Sequence, residues 1–202
     1  MEKYLRPIGP SHAYSYVKRF CDVIFSASLL LLLSPVIIII SVISFFKLGR
    51  PILFFSTRVG QKNGFFFMPK FRTMDKGAPI VATHLLEGVD HIITPFGSFL
   101  RRTSLDELPQ LWSILVGEMS VVGPRPALFN QIDLIELRTK NNVHLLKPGL
   151  TGWAQVNGRD NLSIHDKVEF EVEYLNKISF ILDCKIIILT AIKVLFQSDV
   201  VH

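Results

Sequence analysis

Charge is missing altogether from residues 23–46, VIFSASLLLLLSPVIIIISVISFF. A stretch so apolar is excluded as a surface loop, and as a helix it is long enough to enter a bilayer. No small-residue cleavage site follows it; Phe45, Phe46 and Lys47 stand there instead, which argues against a removable signal sequence. Cysteine is scarce. Cys21 and Cys184 lie far apart beside apolar stretches, so a disulfide framework and a cysteine-based metal site are both excluded, and free thiols are the simple reading. The six histidines are scattered, which speaks against a zinc centre or a histidine nucleophile. The chain has no Walker motif, no GxGxxG turn, no internal repeat and no low-complexity tract. P-loop and dinucleotide-binding folds, repeat arrays and disordered linkers are thereby removed.

What is present is an excess of apolar residues and of positive charge. Of 202 residues 49% are hydrophobic, and a mean hydropathy of +0.37 exceeds what the core of one soluble domain needs. The net charge of +5 suits anionic partners, whether lipid headgroups, phosphates or nucleic acid. The basic residues flank the apolar stretch and a second cluster near Asp106 rather than one groove-sized face, so no nucleic-acid role is expected. The length divides naturally into a membrane element, residues 1–50, and a membrane-associated catalytic domain, residues 51–202.

Two geometries fit the apolar stretch. Lys18 and Arg19 precede it while Lys47, Arg50 and Arg58 follow, so both flanks carry the charge typical of a cytoplasmic side. Ser34-Pro35 falls at its centre. Proline removes a backbone donor and clashes with the preceding turn, and a neighbouring hydroxyl can satisfy the carbonyl so freed. A helix that enters one leaflet, breaks at Ser34-Pro35 and returns fits these facts; so does a kinked helix that spans.

Downstream the pattern predicts an α+β domain that is mainly helical. Residues 52–58 and 65–72 are short aromatic-rich strands joined through Gln61-Lys62-Asn63-Gly64, a hairpin signal. Residues 73–95 read as a loop. Helices are predicted from Ser104 into Trp112, over 128–139 and over 164–176, with residues 147–159 irregular and glycine-rich. The apolar tail 178–196 is interrupted by Asp183, Lys185 and Lys193, too often for a span, and predicts a helix at the interface or packed on the domain.

Asp106-Glu107 is the sharpest chemical candidate, although Ser104-x-x-Glu107 is also a capping-box pattern whose acids would merely start a helix. Arg101 and Arg102 precede the pair, and Arg125 is held between Pro124 and Pro126. Guanidiniums around a helix start make an anion site. There an aspartate could attack phosphorus, with a divalent ion and arginines neutralising the phosphate oxygens. Magnesium needs only one or two carboxylates besides phosphates and water. Residues 147–159 gather Trp153, Gln155, Asn157 and Arg159 between glycines, as a nucleotide-binding loop would, or as an ordinary loop would.

Ser104-Leu105-Asp106-Glu107-Leu108-Pro109-Gln110, Gly117-Glu118-Met119-Ser120-Val121-Val122-Gly123-Pro124-Arg125-Pro126 and Pro148-Gly149-Leu150-Thr151-Gly152-Trp153-Ala154-Gln155-Val156-Asn157-Gly158-Arg159 stand here in that order. The chain, from about Lys18 to Phe196, resembles the bacterial sugar transferases, the monotopic phosphoglycosyl transferases, in a short core-only form. The resemblance implies a re-entrant membrane helix broken at Ser34-Pro35, interfacial amphipathic helices and a catalytic domain on the cytoplasmic face of the bacterial inner membrane. It implies Asp106 as a nucleophile that takes sugar phosphate from a UDP-sugar and releases UMP, and undecaprenyl or another polyprenyl phosphate as the acceptor. Glu107, with Asp106, would hold Mg2+, and Arg125 would lie near phosphate or nucleotide. Arg101, Lys70, Arg159, Gln155 and Asp183 also fall at family positions and are carried as substrate-binding candidates. Membrane lipid is an implied partner, and a homodimer is a compatible assembly. Two other functions use the same residues: a nucleotide-sugar pyrophosphatase activating water, and a membrane anchor whose acids only cap a helix.

Overall fold

The computed structural model describes residues 12–74, 93–158 and 162–196. Its fold is mostly helical with two small sheets, the α+β class expected. Helix α1, His12–Leu48, runs through the whole uncharged stretch, and at 1.5 Å per residue it is about 55 Å long. Among the described residues it is the one helix, over Tyr14–Leu48, long and apolar enough to cross a membrane. Helical assignment continues through Pro35. That residue cannot donate to the Leu31 carbonyl, and the Ser34 hydroxyl donates to it instead at 2.8 Å.

Strands β1, Leu53–Val59, and β2, Phe65–Phe71, form the predicted hairpin, with Leu53 opposite Phe71 and Val59 opposite Phe65. Lys62 and Asn63 in the connection both take positive φ, which explains why a turn-forming Asn-Gly pair stands there. Alternation along β2 turns Phe66, Met68 and Lys70 to one face and leaves Phe65 and Phe67 exposed on the other. Phe66 and Met68 enter the core, and Lys70, one step further, reaches the acidic pair described below.

After α2 (Pro95–Arg102, capped by the Thr94 side chain) the predicted helix from Ser104 to Trp112 is not one element. Leu105–Glu107 is a single 3-10 turn entered through Ser104 at φ 56, and α3, Gln110–Val116, begins only after Pro109. The remainder follows as β3 (Ser120–Val122), β4 (Ala127–Leu128), α4 (Ile132–Lys140), β5 (Gly149–Thr151), α5 (Trp153–Asn157), α6 (Ile164–Lys177) and α7 (Phe180–Phe196). Residues 147–159, read as irregular, thus contain a strand and a short helix. Strand β4 pairs with β1 at Arg58–Leu128, and β3 pairs in parallel with β5. Ile114 and Ile186 are fully buried in the central core beneath α3 and α7.

Helix α1 is fastened to this domain along its length. Near its start, Lys18 donates to Asp183 of α7 at 2.5 Å, and Tyr14 and Tyr174 donate to the same carboxylate at 2.7 and 2.6 Å. One turn on, buried Asp22 accepts the Val121 amide at 3.0 Å, satisfying an edge of β3. Near its end, Ile40 packs with Phe71 and Leu100, and Arg72 donates to the carbonyls of Leu48 and Gly49. The sequence boundary at residue 50 falls in the turn that follows.

Asp183 therefore holds together α1, α6 and α7. Asp183→Ala leaves Lys18 with an uncompensated charge in a poorly solvated site, and the expected loss is about 3–5 kcal/mol. A depressed thermal midpoint in detergent, with Asp183→Asn falling between, checks this.

Candidate functional site

Asp106 and Glu107 lie side by side on the 3-10 turn but meet different surroundings. Glu107 Oε1 accepts from Lys70 Nζ at 2.7 Å and from Arg125 Nη2 at 3.3 Å. Burial works against its ionisation, yet Lys70 and Arg125 outweigh that and hold its carboxyl far below the usual carboxylate range. Asp106 is 7% exposed, and its nearest ionic partner is Lys70 at 4.0 Å. Among the described residues no side chain or amide donates a hydrogen bond to it. Burial pushes its pKa up to about 6; Lys70, Arg101 and Arg125 pull it down only in part, against the repulsion of Glu107. Among the described residues one acid is thus saturated with cations, and its neighbour's oxygens accept no hydrogen bond.

The capping-box reading does not survive. Ser104 is left-handed and makes no side-chain cap, and Glu107 reaches out to Lys70 and Arg125 rather than back to the turn. Local sequence could not reveal this, because the φ of Ser104 depends on how Arg101 and Thr103 end α2.

Arg125 is placed by backbone packing. The Gly123 amide donates to the Thr151 carbonyl at 2.8 Å and the Gly149 amide to the Pro124 carbonyl at 2.8 Å. A Cβ on Gly149 would overlap the Gly123 nitrogen, and one on Gly152 would overlap the Gly123 oxygen. Two motifs separate in sequence are therefore pressed main chain to main chain, and Gly is needed for the contact.

Of the other candidates, Arg101 is anchored by Thr73, whose Oγ1 accepts from its Nε at 2.9 Å, and its charge acts on Asp106. Gln155 lies in the loop pressed against the Arg125 turn, but its Nε2 donates to the Leu150 carbonyl at 3.1 Å. Asn157 likewise donates to the Trp153 carbonyl, while the Trp153 indole donates to Glu173 at 2.7 Å under Lys185. The Trp153 indole and the Gln155 and Asn157 amide nitrogens are thus used within the protein, whereas Gln155 Oε1 is buried with no hydrogen-bond partner among the described residues. Asp183 joins α1 to α6 and α7, as above, and its partners are not those of Asp106 and Glu107. Arg159 lies outside the described residues.

Sequence reasoning missed Arg58, which it read only as flanking charge. Arg58 donates to Ser56 Oγ at 3.0 Å and to the Pro126 carbonyl at 3.2 Å, so it supports the Pro-Arg-Pro turn. Burial, and then the neighbouring Arg125, lower its pKa to about 10, while Glu107 acts in the opposite sense. Its position opposite Leu128 in a strand pairing was the missing signal. With it, four cations surround two carboxylates, an excess suited to a diphosphate.

The pair could also hold a magnesium ion, since two hard carboxylates adjoin and Glu107 and Asp106 stand on one turn. A second grouping of metal-type ligands, His165, Asp166 and Glu169, is exposed on α6. It is accounted for by capping and pairing, since Ser163 binds Asp166 and His165 pairs with Glu169.

The sequence model of the family described as bacterial sugar transferase matches residues 13–197. The chain is 38% identical to the uncharacterised sugar transferase EpsL of Bacillus subtilis over 91% of its own length and 90% of that protein's. It is 39% identical to the UDP-glucose:undecaprenyl-phosphate glucose-1-phosphate transferase of Escherichia coli, covering 88% of this chain and 40% of the relative. It is 30% identical to the UDP-N-acetylgalactosamine-undecaprenyl-phosphate N-acetylgalactosaminephosphotransferase of Aeromonas hydrophila, covering 94% of this chain and 46% of the relative. The chain thus spans less than half the length of the latter two.

The two acids predict opposite stability effects. The folded-state pKa of Asp106 is raised, so its favourable contribution is present below 3.8 and lost as pH climbs through about 6. Asp106→Asn should therefore stabilise the protein at pH 7.5, by up to roughly 3 kcal/mol, and lose that advantage at pH 4. The Glu107 pKa is lowered, so its contribution is present above 4.5 and lost only as pH falls through its depressed value. Glu107→Gln should lower the thermal midpoint at pH 7.5. Midpoints of both variants against pH check the pair.

Proposed function

The chain belongs to the bacterial sugar transferase family, and from that membership we propose that it is a phosphoglycosyl transferase moving a sugar 1-phosphate from a UDP-sugar to undecaprenyl or another polyprenyl phosphate. The observation that carries this is the buried Asp106 carboxylate, which accepts no hydrogen bond among the described residues, set among Lys70, Arg101, Arg125 and Arg58 with Glu107 saturated beside it. The relatives' names support the reaction class and differ in the sugar, so the donor is proposed as a UDP-sugar.

An Asp106 oxygen attacks the sugar-bearing phosphorus. A phosphorus–oxygen bond to Asp106 forms as the bridging bond of the diphosphate breaks, and UMP leaves with the electron pair. An oxygen of the polyprenyl phosphate then attacks the same phosphorus, the bond to Asp106 breaks, and the carboxylate is restored with polyprenyl diphosphosugar as product. Lys70 and Arg125 are oriented by Glu107 toward the anionic donor, while Arg101 lowers the cost of ionising Asp106. Magnesium held by Glu107 and Asp106 would neutralise phosphate charge that otherwise repels the nucleophile.

The membrane part of the proposal is a re-entrant α1, bent at Ser34-Pro35, with the catalytic domain on the cytoplasmic face of the inner membrane. Its support is that both the start and the end of α1 contact one domain, as a straight span could not allow if that domain lies wholly on one side. The exposed apolar face of α7, including Ile181 and Ile188, suits an interfacial helix.

Incubation with a UDP-sugar panel and no acceptor should give one equivalent of UMP and a phosphosugar adduct on Asp106, and acceptor should discharge it. Asp106→Asn should form no adduct. The rate of adduct formation should rise as pH passes through about 6, when the nucleophile ionises. Sustained UMP release without acceptor would establish hydrolysis instead. For topology, Ser15→Cys and Lys47→Cys in a cysteine-free background should both react with an impermeant maleimide from the cytoplasmic side alone; labelling from opposite sides would establish a span.

A further inference from the structure

A second cationic site lies away from the acidic pair, where α1 crosses the end of α3. Arg19 donates to the Ile114 and Leu115 carbonyls in the last turn of α3 at 2.6 and 2.7 Å, the former also accepting the Gly117 amide. Lys147 approaches from the other side. Measured from the point where a Cβ of Gly117 would stand, Arg19 Nη2 is 3.2 Å away and Lys147 Nζ 3.5 Å away. Both charges thus converge beside one glycine, which takes φ +97 and whose missing side chain leaves the space between them.

Like charges so placed need an anion. The acid that acts on Lys147 is Asp22, whose carboxylate already accepts the Val121 amide. Glu118 accepts from Ser113. Burial and the Arg19 guanidinium lower the pKa of the Lys147 ammonium, with Asp22 opposing, so a further negative charge would relieve it. Neither Arg19 nor Lys147 is among the charges that set Asp106 or Glu107.

The surroundings say which anion. Arg19 stands one turn before the uncharged stretch 23–46, at the depth where headgroups meet hydrocarbon. Beside it, Phe20 on α1 and Trp112 and Val116 on α3 are exposed by 68%, 58% and 51%. Aromatic residues next to basic ones at a membrane boundary suit the interfacial layer. We infer that Arg19 and Lys147 form a binding site for the phosphate of an anionic bilayer lipid headgroup at the α1–α3 corner, separate from the site of chemistry. The inference rests on membrane association and not on the transfer reaction.

Lys147 makes no hydrogen bond among the described residues, so Lys147→Gln tests the site without uncapping α3, which Arg19→Gln would do. The full chain is extracted from membranes of equal phosphatidylglycerol and phosphatidylcholine, and retained lipid is counted by native mass spectrometry. The wild type should retain phosphatidylglycerol preferentially. Lys147→Gln should retain about fivefold less, with a thermal midpoint in lipid-free detergent no lower than the wild type's and unchanged adduct formation on Asp106. Equal retention of the two lipids by the wild type would overturn the inference, as would a folded Lys147→Gln that retains phosphatidylglycerol normally. Mole-for-mole displacement of phosphatidylglycerol by polyprenyl phosphate would overturn it too, by giving the site to the acceptor.

Discussion

The sharing of Glu107 Oε1 between Lys70 and Arg125 is the constraint on which the site depends. It joins a strand, a 3-10 turn and a proline-bounded turn that the β2–β1–β4 sheet and the packing of Phe71 with Leu105 and Leu108 bring close. It also decides the chemistry of the neighbouring acid. Two adjacent carboxylates cannot both take full benefit from one set of cations, and Glu107 has taken the short contacts. Asp106 is left buried with Lys70 only at 4.0 Å, and burial then dominates its ionisation. A carboxylate unencumbered by hydrogen bonds is a better nucleophile than a saturated one, so the asymmetry suits a covalent role for Asp106 and a positioning role for Glu107.

The membrane helix is not an appendage to this arrangement. Asp22 completes β3, Arg19 completes α3, and both of those elements lie next to the motifs that carry the site. Lys18 and Tyr14 meet Asp183, and Arg72, immediately after β2, returns to the end of α1. Each contact satisfies a buried polar group that would otherwise cost about 1–3 kcal/mol, so removing α1 would strip the domain of partners as well as of its anchor.

What was legible in the sequence follows from the range of the interaction responsible. The hairpin was readable because Asn-Gly and strand alternation act over a few residues, and the Ser34 hydroxyl could be assigned to a freed carbonyl because donor and acceptor lie within one turn. The helix 164–176 was readable from its pattern and appears as Ile164–Lys177, capped by Ser163. The capping box at Ser104 misled because a local pattern competed with distant cations. Arg58 was missed because its role depends on β1 pairing with β4, and Trp153 looked like a ligand-facing aromatic because its partner Glu173 lies in another helix.

Lys147 unites the two cationic regions of the molecule. Its carbonyl presses on Gly123, close enough that a Cβ there would overlap it, while its ammonium reaches the space beside Gly117. The backbone between them belongs to the β3–β5 pairing, where Ser120 and Gly123 donate to the Pro148 and Thr151 carbonyls at 2.8 Å. Main chains in such contact cannot slide past one another without breaking hydrogen bonds in a buried place. The placement of the Arg125 turn against Lys147 is therefore set by main-chain hydrogen bonds and a short parallel ladder rather than by flexible side chains. In the transfer proposed above, with a soluble donor and an acceptor in lipid, such a fixed placement is what one aspartate needs to serve both.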